Sequence, residues 1–163
     1  MNILLIEDEP DLAKAAAMQL ESLGHSVEAV HDLASAGKAL EDGGRRFGLV
    51  IADHALPDGR GIEFVLRLRK GYDNCEYAIV SGCLTDTDVA LLEAERLTYY
   101  RKPLLYRKVL DDLRKRKAAK GALPKTEPES AEAGTASVRD DGEKRKRFGW
   151  FRGAKASDSG RDG

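Results

Sequence analysis

Apart from the leading Asn2, three stretches of the chain are apolar without a break: Asn2–Ile6 (NILLI), Leu49–Ala52 (LVIA) and Tyr77–Val80 (YAIV), and each gives way at once to polar residues. A strand packed on one face alternates apolar and polar side chains, whereas a strand apolar at every position is covered on both faces. Central strands of a parallel sheet meet that condition, because their crossovers lay helices on both sides. Two further segments, His25–Val30 (HSVEAV), which alternates, and Leu97–Arg101 (LTYYR), which is amphipathic, fit edge strands. Helical spacings fill the intervals. Leu12, Ala16, Leu20 and Leu23 recur at steps of four and three, and Gly24 supplies a stop. Ala36, Ala39 and Leu40 mark a second helix, and Ile62, Val65 and Leu66 a third. A fourth opens with Thr85 or Asp86 as its N-cap and carries Val89 and Leu92. Leu105, Val109, Leu110 and Leu113 mark the last.

Five βα units predict an α/β fold: a doubly wound (βα)5 parallel sheet with right-handed crossovers, in the flavodoxin-like strand order 2-1-3-4-5. This patterning covers residues 1–118. From Ala119 to Gly163 the chain is rich in Ala, Gly, Ser, Glu and Lys with almost no aliphatic bulk. Such a segment cannot bury enough surface to offset its ordering entropy, and the expectation is a disordered, low-complexity tail. The formal net charge of −1 gives no bulk pull toward nucleic acid or membrane. No apolar run is long enough to span a bilayer, and the N-terminus has no basic leader, so a cytoplasmic protein is expected. Cys75 and Cys83 fall at opposite ends of one predicted strand, roughly 20 Å apart at the usual rise. A disulfide needs α-carbons within about 7 Å, so both are expected as reduced thiols.

Carboxylates cluster just past two strand ends: Glu7, Asp8 and Glu9 after the first, and Asp53 after the third. In open α/β sheets ligands bind outside the carboxyl ends of the strands at the switch point of strand order, which these two strands flank. Converging carboxylates repel unless a cation lies between them, and hard oxygen donors in a wet, shallow site suit Mg²⁺. Ser81 ends the fourth strand and Lys102 the fifth, just before Pro103. A hydroxyl and an ammonium beside a carboxylate–metal cluster are what a phosphoryl group requires. Asp53 is then the candidate nucleophile, forming an acyl phosphate. Each residue alone has a plainer account: a turn-capping aspartate, an acidic first helical turn, a solvated lysine, an ordinary serine. Their convergence on one edge of one sheet favours the chemical reading.

These residues resemble the receiver domains of two-component response regulators. The resemblance rests on ILLIEDEP at the first strand, LVIADHALPDGRG around Asp53 with Pro57 and Gly61 at fitting spacing, AIVSG at Ser81 and YYRKP at Lys102, and it covers roughly residues 1–117. It implies that Asp8, Asp53 and the backbone carbonyl of Ala55 bind Mg²⁺, with Glu7 acting through a metal-bound water. It implies that Asp53 is phosphorylated by a sensor histidine kinase or histidine phosphotransfer protein. Ser81 and Lys102 would be drawn to the phosphoryl group, Tyr99 would swing inward as the switch aromatic, and Lys102–Pro103 would be a cis peptide. The face built by the fourth helix, fifth strand and fifth helix would then change shape to control docking of a downstream protein target, and the resemblance leaves room for a phosphorylation-dependent dimer.

Three positions depart from the commoner pattern: His54 directly after the acceptor, and the small Ala55 and Cys83 where side chains screen the phosphate. Tyr100 competes with Tyr99 for the inward role, since alternation turns one in and the other out. The tail holds no patterned helices of the kind a DNA-binding module needs, so a stand-alone receiver is expected. Its segment Lys144–Lys155 interleaves basic residues with Phe148, Trp150 and Phe151 and reads as a short docking motif, or as a merely basic linker end. The function expected is a signalling switch and not an enzyme. Two alternatives stand beside it: a phosphate-independent interaction module of the same fold, and an Asp-nucleophile phosphatase resembling haloacid dehalogenases. The second suffers because the first strand is followed by Glu7–Asp8–Glu9 rather than a D-x-D nucleophile motif.

Overall fold

Alternate residues of the inner strands turn to opposite layers, and the structure shows both layers filled. The computed structural model describes residues 1–42, 46–72 and 74–121, without the side chains of 120 and 121. The strands β1 (Asn2–Ile6), β2 (Ser26–Val30), β3 (Leu49–Asp53), β6 (Glu76–Ser81) and β7 (Thr98–Arg101) form one sheet in the order β2-β1-β3-β6-β7. All four neighbouring pairs are parallel. A short antiparallel hairpin, β4 (Ala55–Leu56) with β5 (Gly59–Arg60), follows β3 and accounts for the gap in numbering across the sheet. Counting the sheet strands alone, the order is the 2-1-3-4-5 read from sequence.

The helices are α1 (Pro10–Ser22), α2 (Leu33–Glu41), α3 (Gly61–Leu68), α4 (Asp86–Ala94) and α5 (Tyr106–Gly121). Ile3, Leu5, Leu49, Ile51, Ala78 and Val80 pack against Ala16 and Leu20 of α1 and Val109, Leu110 and Leu113 of α5. Their neighbours Leu4, Ile6, Val50, Ala52 and Ile79 pack on the other side against Ala36, Ile62, Val65 and Leu92 of α2, α3 and α4. Each inner-strand aliphatic is close to fully buried, which at roughly 1.5–3 kcal/mol per large side chain is the main stabilising term. Among the described residues no helix is long and apolar enough to cross a membrane.

Some helical registers differ from the sequence reading. Leu12 is 41% exposed, because α1 begins at Pro10 and its inward stripe runs through Ala13, Ala16 and Leu20. Leu105 is 72% exposed, because it precedes the first residue of α5; Tyr106 takes the core position instead. The fourth-helix N-cap is Thr85, whose hydroxyl accepts from the Asp88 N–H while Asp88 returns a bond to the Thr85 N–H. This reciprocal capping box satisfies two otherwise orphaned donors. Helix α5 continues to Gly121, past the boundary expected at 118. The rest of the expected tail, including Lys144–Lys155, lies outside the described residues. Cys75 and Cys83 are free thiols. Burial pushes the Cys75 thiol up to about 12, which makes it a poor nucleophile.

Candidate functional site

The parallel register brings the C-terminal ends of β1, β3, β6 and β7 to one edge, with Ile6 opposite Ala52, Asp53 opposite Val80, and Ser81 opposite Arg101. Glu7 leaves β1 there, its N–H held by the Val30 carbonyl at 3.0 Å. Asp53 is the last residue of β3, and the Gly61 N–H binds the carbonyl of the next residue, His54, at 2.9 Å. A Cβ on Gly61 would lie 1.9 Å from the Asp53 carbonyl oxygen, so only glycine admits this approach of α3 to the strand end. The motif's Gly61 is thereby explained by packing against the backbone of Asp53.

Lys102 follows β7 and precedes a cis peptide to Pro103, as expected. Its ammonium donates to Glu7 Oε2 and to Asp53 Oδ2, both at 2.6 Å. Charge-assisted bonds this short are the strong ones. Glu7 is 2% exposed and Asp53 8%, so water screens the group little. Burial raises the Glu7 pKa despite the pull of Lys102. Burial works to lower that of Lys102, but its bonds to Asp53 and Glu7 outweigh it and the net shift is upward. The ammonium is therefore firmly held as a cation between two carboxylates.

Carboxylate oxygens of Glu7, Asp8 and Asp53 lie within 4.8 Å of one another, Asp8 being the exposed member. Glu9 does not join them; it is exposed and serves as the backbone N-cap of α1. Glu7 Oε1 is buried and has no hydrogen-bond partner among the described residues. Three carboxylates, one of them with an orphaned oxygen, fit a divalent cation that keeps some of its waters. The N–H of Ala55 donates to Asp53 Oδ1 at 3.2 Å, so the Ala55 backbone borders the same cluster.

Ser81 and Tyr99 stand apart from these acids. The Ser81 hydroxyl donates to the Cys83 carbonyl and accepts from the Cys83 N–H, both at 3.2 Å, and does not bond Asp53. Tyr99 packs partly buried against the α2–α4 layer, and its hydroxyl donates to Glu93 at 3.3 Å. Tyr100 is buried against the α1–α5 layer and donates to Asp112 at 3.1 Å. Alternation does not turn one of the pair to solvent, as was expected, because helices cover both faces of the sheet at this edge.

Two further acids were not singled out from sequence. Asp58, between the hairpin strands, accepts from the Leu33 and Ala34 N–H groups at 2.9 Å each and so caps α2 from the loop that follows β3. Asp88 lies 3.6 Å from His54 and 3.5 Å from Arg60. Sequence separations of 24 to 34 residues conceal both ties; only the DG turn at Asp58 and the T-x-x-D box at Thr85–Asp88 leave a trace.

Residues 3–114 match the family model described as the response regulator receiver domain. The chain is similar to the swarming motility regulation protein RssB of Serratia marcescens, 37% identical over 82 residues that make up 50% of this chain and 36% of RssB. It is also similar to the transcriptional regulatory protein TcrA of Mycobacterium tuberculosis, 32% identical over 139 residues, covering 82% of this chain and 51% of TcrA. The chain thus spans about half or less of the length of these curated relatives. Among solved structures, a CheY-like receiver domain protein from Methanospirillum hungatei superposes with a TM-score of 0.63 at 21% identity, covering 74% of this chain and 95% of that one. A signal receiver domain of an HD domain-containing protein from Pseudomonas fluorescens gives 0.64 at 20% identity, covering 74% and 97%. Those two likenesses establish the shared fold, and the matched family model makes this chain a member of the response-regulator receiver family.

Proposed function

We propose that the chain is a signalling switch rather than an enzyme, in which Asp53 is the phosphorylated residue. The observation that carries this reading is the single ammonium of Lys102 bound at 2.6 Å to both Asp53 and Glu7 in a buried acidic cluster. A carboxylate oxygen of Asp53 attacks the phosphorus of a phosphohistidine on a sensor histidine kinase or histidine phosphotransfer protein. The phosphorus–oxygen bond forms as the phosphorus–nitrogen bond breaks, and the released imidazole takes a proton from water. Asp8, Asp53, the Ala55 carbonyl and, through water, Glu7 would hold Mg²⁺, which offsets charge on the phosphoryl oxygens. Lys102 stays beside Asp53 and pairs with one phosphoryl oxygen. Ser81 leaves Cys83 and donates to another, and Tyr99 leaves Glu93 to follow it inward. The surface of α4, β7 and α5 is remodelled as a result, and with it the docking of a downstream protein. On this reading the receiver works in the cytoplasm through protein contacts, with Lys144–Lys155 as an added docking motif.

Intact-mass spectrometry after incubation with acetyl phosphate and Mg²⁺ tests the assignment. The expected result is a gain of about 80 Da in the wild type, absent from Asp53→Ala. No gain under any condition overturns the switch and favours a phosphate-independent docking module. Turnover of a general phosphatase substrate would revive an enzymatic reading.

A further inference from the structure

The residue that follows the acceptor is tied to the first turn of α4 through one carboxylate. His54 is buried, and its Nε2 lies 3.6 Å from Asp88 Oδ1, a close approach beyond hydrogen-bond distance. Arg60, on the second strand of the hairpin, reaches the same oxygen at 3.5 Å. The other oxygen of Asp88 accepts from the Thr85 N–H at 3.0 Å and the Thr85 hydroxyl at 2.7 Å. Asp88 therefore caps α4 with one oxygen and holds the acceptor loop with the other. Thr85, through its hydroxyl and then its N–H, keeps the Asp88 carboxyl below its ordinary value, so it stays ionised.

We infer that Asp88, with Arg60 and His54 as its partners, is a positioning residue that latches α4 to the acceptor loop in the unphosphorylated arrangement. This rests on the reading of Asp53 as the acceptor. Only Gly82, Cys83 and Leu84 separate Ser81 from the N-cap Thr85. When Ser81 moves toward a phosphoryl group on Asp53, it pulls on the start of α4 through that short tether. Asp88 Oδ1 opposes the shift, because His54 and Arg60 belong to the loop that stays. The latch thus sets how much phosphorylation is needed to release α4, and a weaker latch lowers that threshold.

The test uses the full chain as wild type, Arg60→Gln, Arg60→Lys and Asp88→Asn. Arg60→Gln leaves the Thr85–Asp88 capping box in place, so it loosens the latch without uncapping the helix. Hydrogen exchange of residues 85–92 in the unphosphorylated chain is expected to quicken about three- to tenfold in Arg60→Gln and to return toward wild type in Arg60→Lys. The acetyl phosphate concentration giving half-maximal phosphorylation, read by intact mass with Mg²⁺ present, is expected to fall by a similar factor. Combining Arg60→Gln with Asp88→Asn should add little beyond Asp88→Asn alone, since both remove one contact. Unchanged exchange in Arg60→Gln overturns the latch, and so does faster exchange with an unchanged phosphorylation midpoint. If the wild type accepts no phosphoryl group, the switch itself fails, while the exchange comparison still decides whether the tie to α4 exists.

Discussion

The two sides of the site rim are built differently. On the β1–β3 side, Glu7 and Asp53 are already joined at 2.6 Å by the Lys102 ammonium, which reaches them from the end of β7, and Gly61 seats α3 directly on the Asp53 backbone. On the β6–β7 side, the Ser81 and Tyr99 hydroxyls face Cys83 and Glu93, and neither bonds Glu7, Asp8 or Asp53. The contrast is one of charge. Buried carboxylates must be paired at all times, so the acid side has to be assembled before any ligand arrives. Hydroxyls are satisfied by local backbone or surface partners at little cost, which leaves them free to exchange one partner for another. In the proposed switch, chemistry is assigned to the first side and movement to the second.

The strongest challenge to this contrast is Gly61→Ala. Its Cβ would meet the Asp53 carbonyl oxygen at 1.9 Å, a backbone atom that no rotamer change can clear. Either α3 or the end of β3 must shift, and a loss of about 3 kcal/mol or more is expected from the denaturation midpoint. Phosphorylation by acetyl phosphate should fall as well, because the displaced residue is the proposed acceptor. A variant of native stability would show that the acid side is far more pliable than its packing implies.

Removing the shared cation comes next in size. Lys102→Met leaves Glu7 and Asp53 buried with like charges and no ammonium between them. A loss of about 2–3 kcal/mol is expected, below the range for a fully buried pair because Lys102 keeps 18% of its side-chain exposure. Added Mg²⁺ should restore part of that loss in the variant and have a smaller effect on wild type, since a second cation substitutes for the first. Equal effects of Mg²⁺ on the two chains would mean that the metal and Lys102 do not share these acids.

What the sequence made legible follows the same division. The order of the sheet and the edge at which Glu7, Asp8, Asp53 and Lys102 meet were readable, because apolar runs fix the buried strands and strand ends fix where the acids fall. Helix faces were less secure. Leu12 and Leu105 look like core residues by spacing, but the choice of Pro10 and Tyr106 as helix starts turned both outward. The fate of Tyr99 and Tyr100 depends on which helices cover each face, which one strand's pattern does not encode. Least legible were Asp58 capping α2 and Asp88 facing His54, since each joins residues 24 to 34 positions apart with no periodicity to mark them.

The smallest expected change in stability falls on the β6–β7 side. Ser81→Ala removes a hydroxyl whose two bonds, both 3.2 Å, go to the backbone of Cys83, an exposed residue whose carbonyl and N–H can turn to water. A cost of about 0.5–1 kcal/mol follows, since the lost bonds are long and replaceable. Signalling should suffer far more than folding. The variant is expected to accept a phosphoryl group on Asp53, because the acids and Lys102 are untouched, yet to lose most of the phosphorylation-dependent change in hydrogen exchange across α4. That split between intact chemistry and absent response is the sharpest form of the contrast. If Ser81→Ala instead responds like wild type, the hydroxyl beside Cys83 is a bystander, and the signal leaves Asp53 through the loop that carries His54 and Arg60.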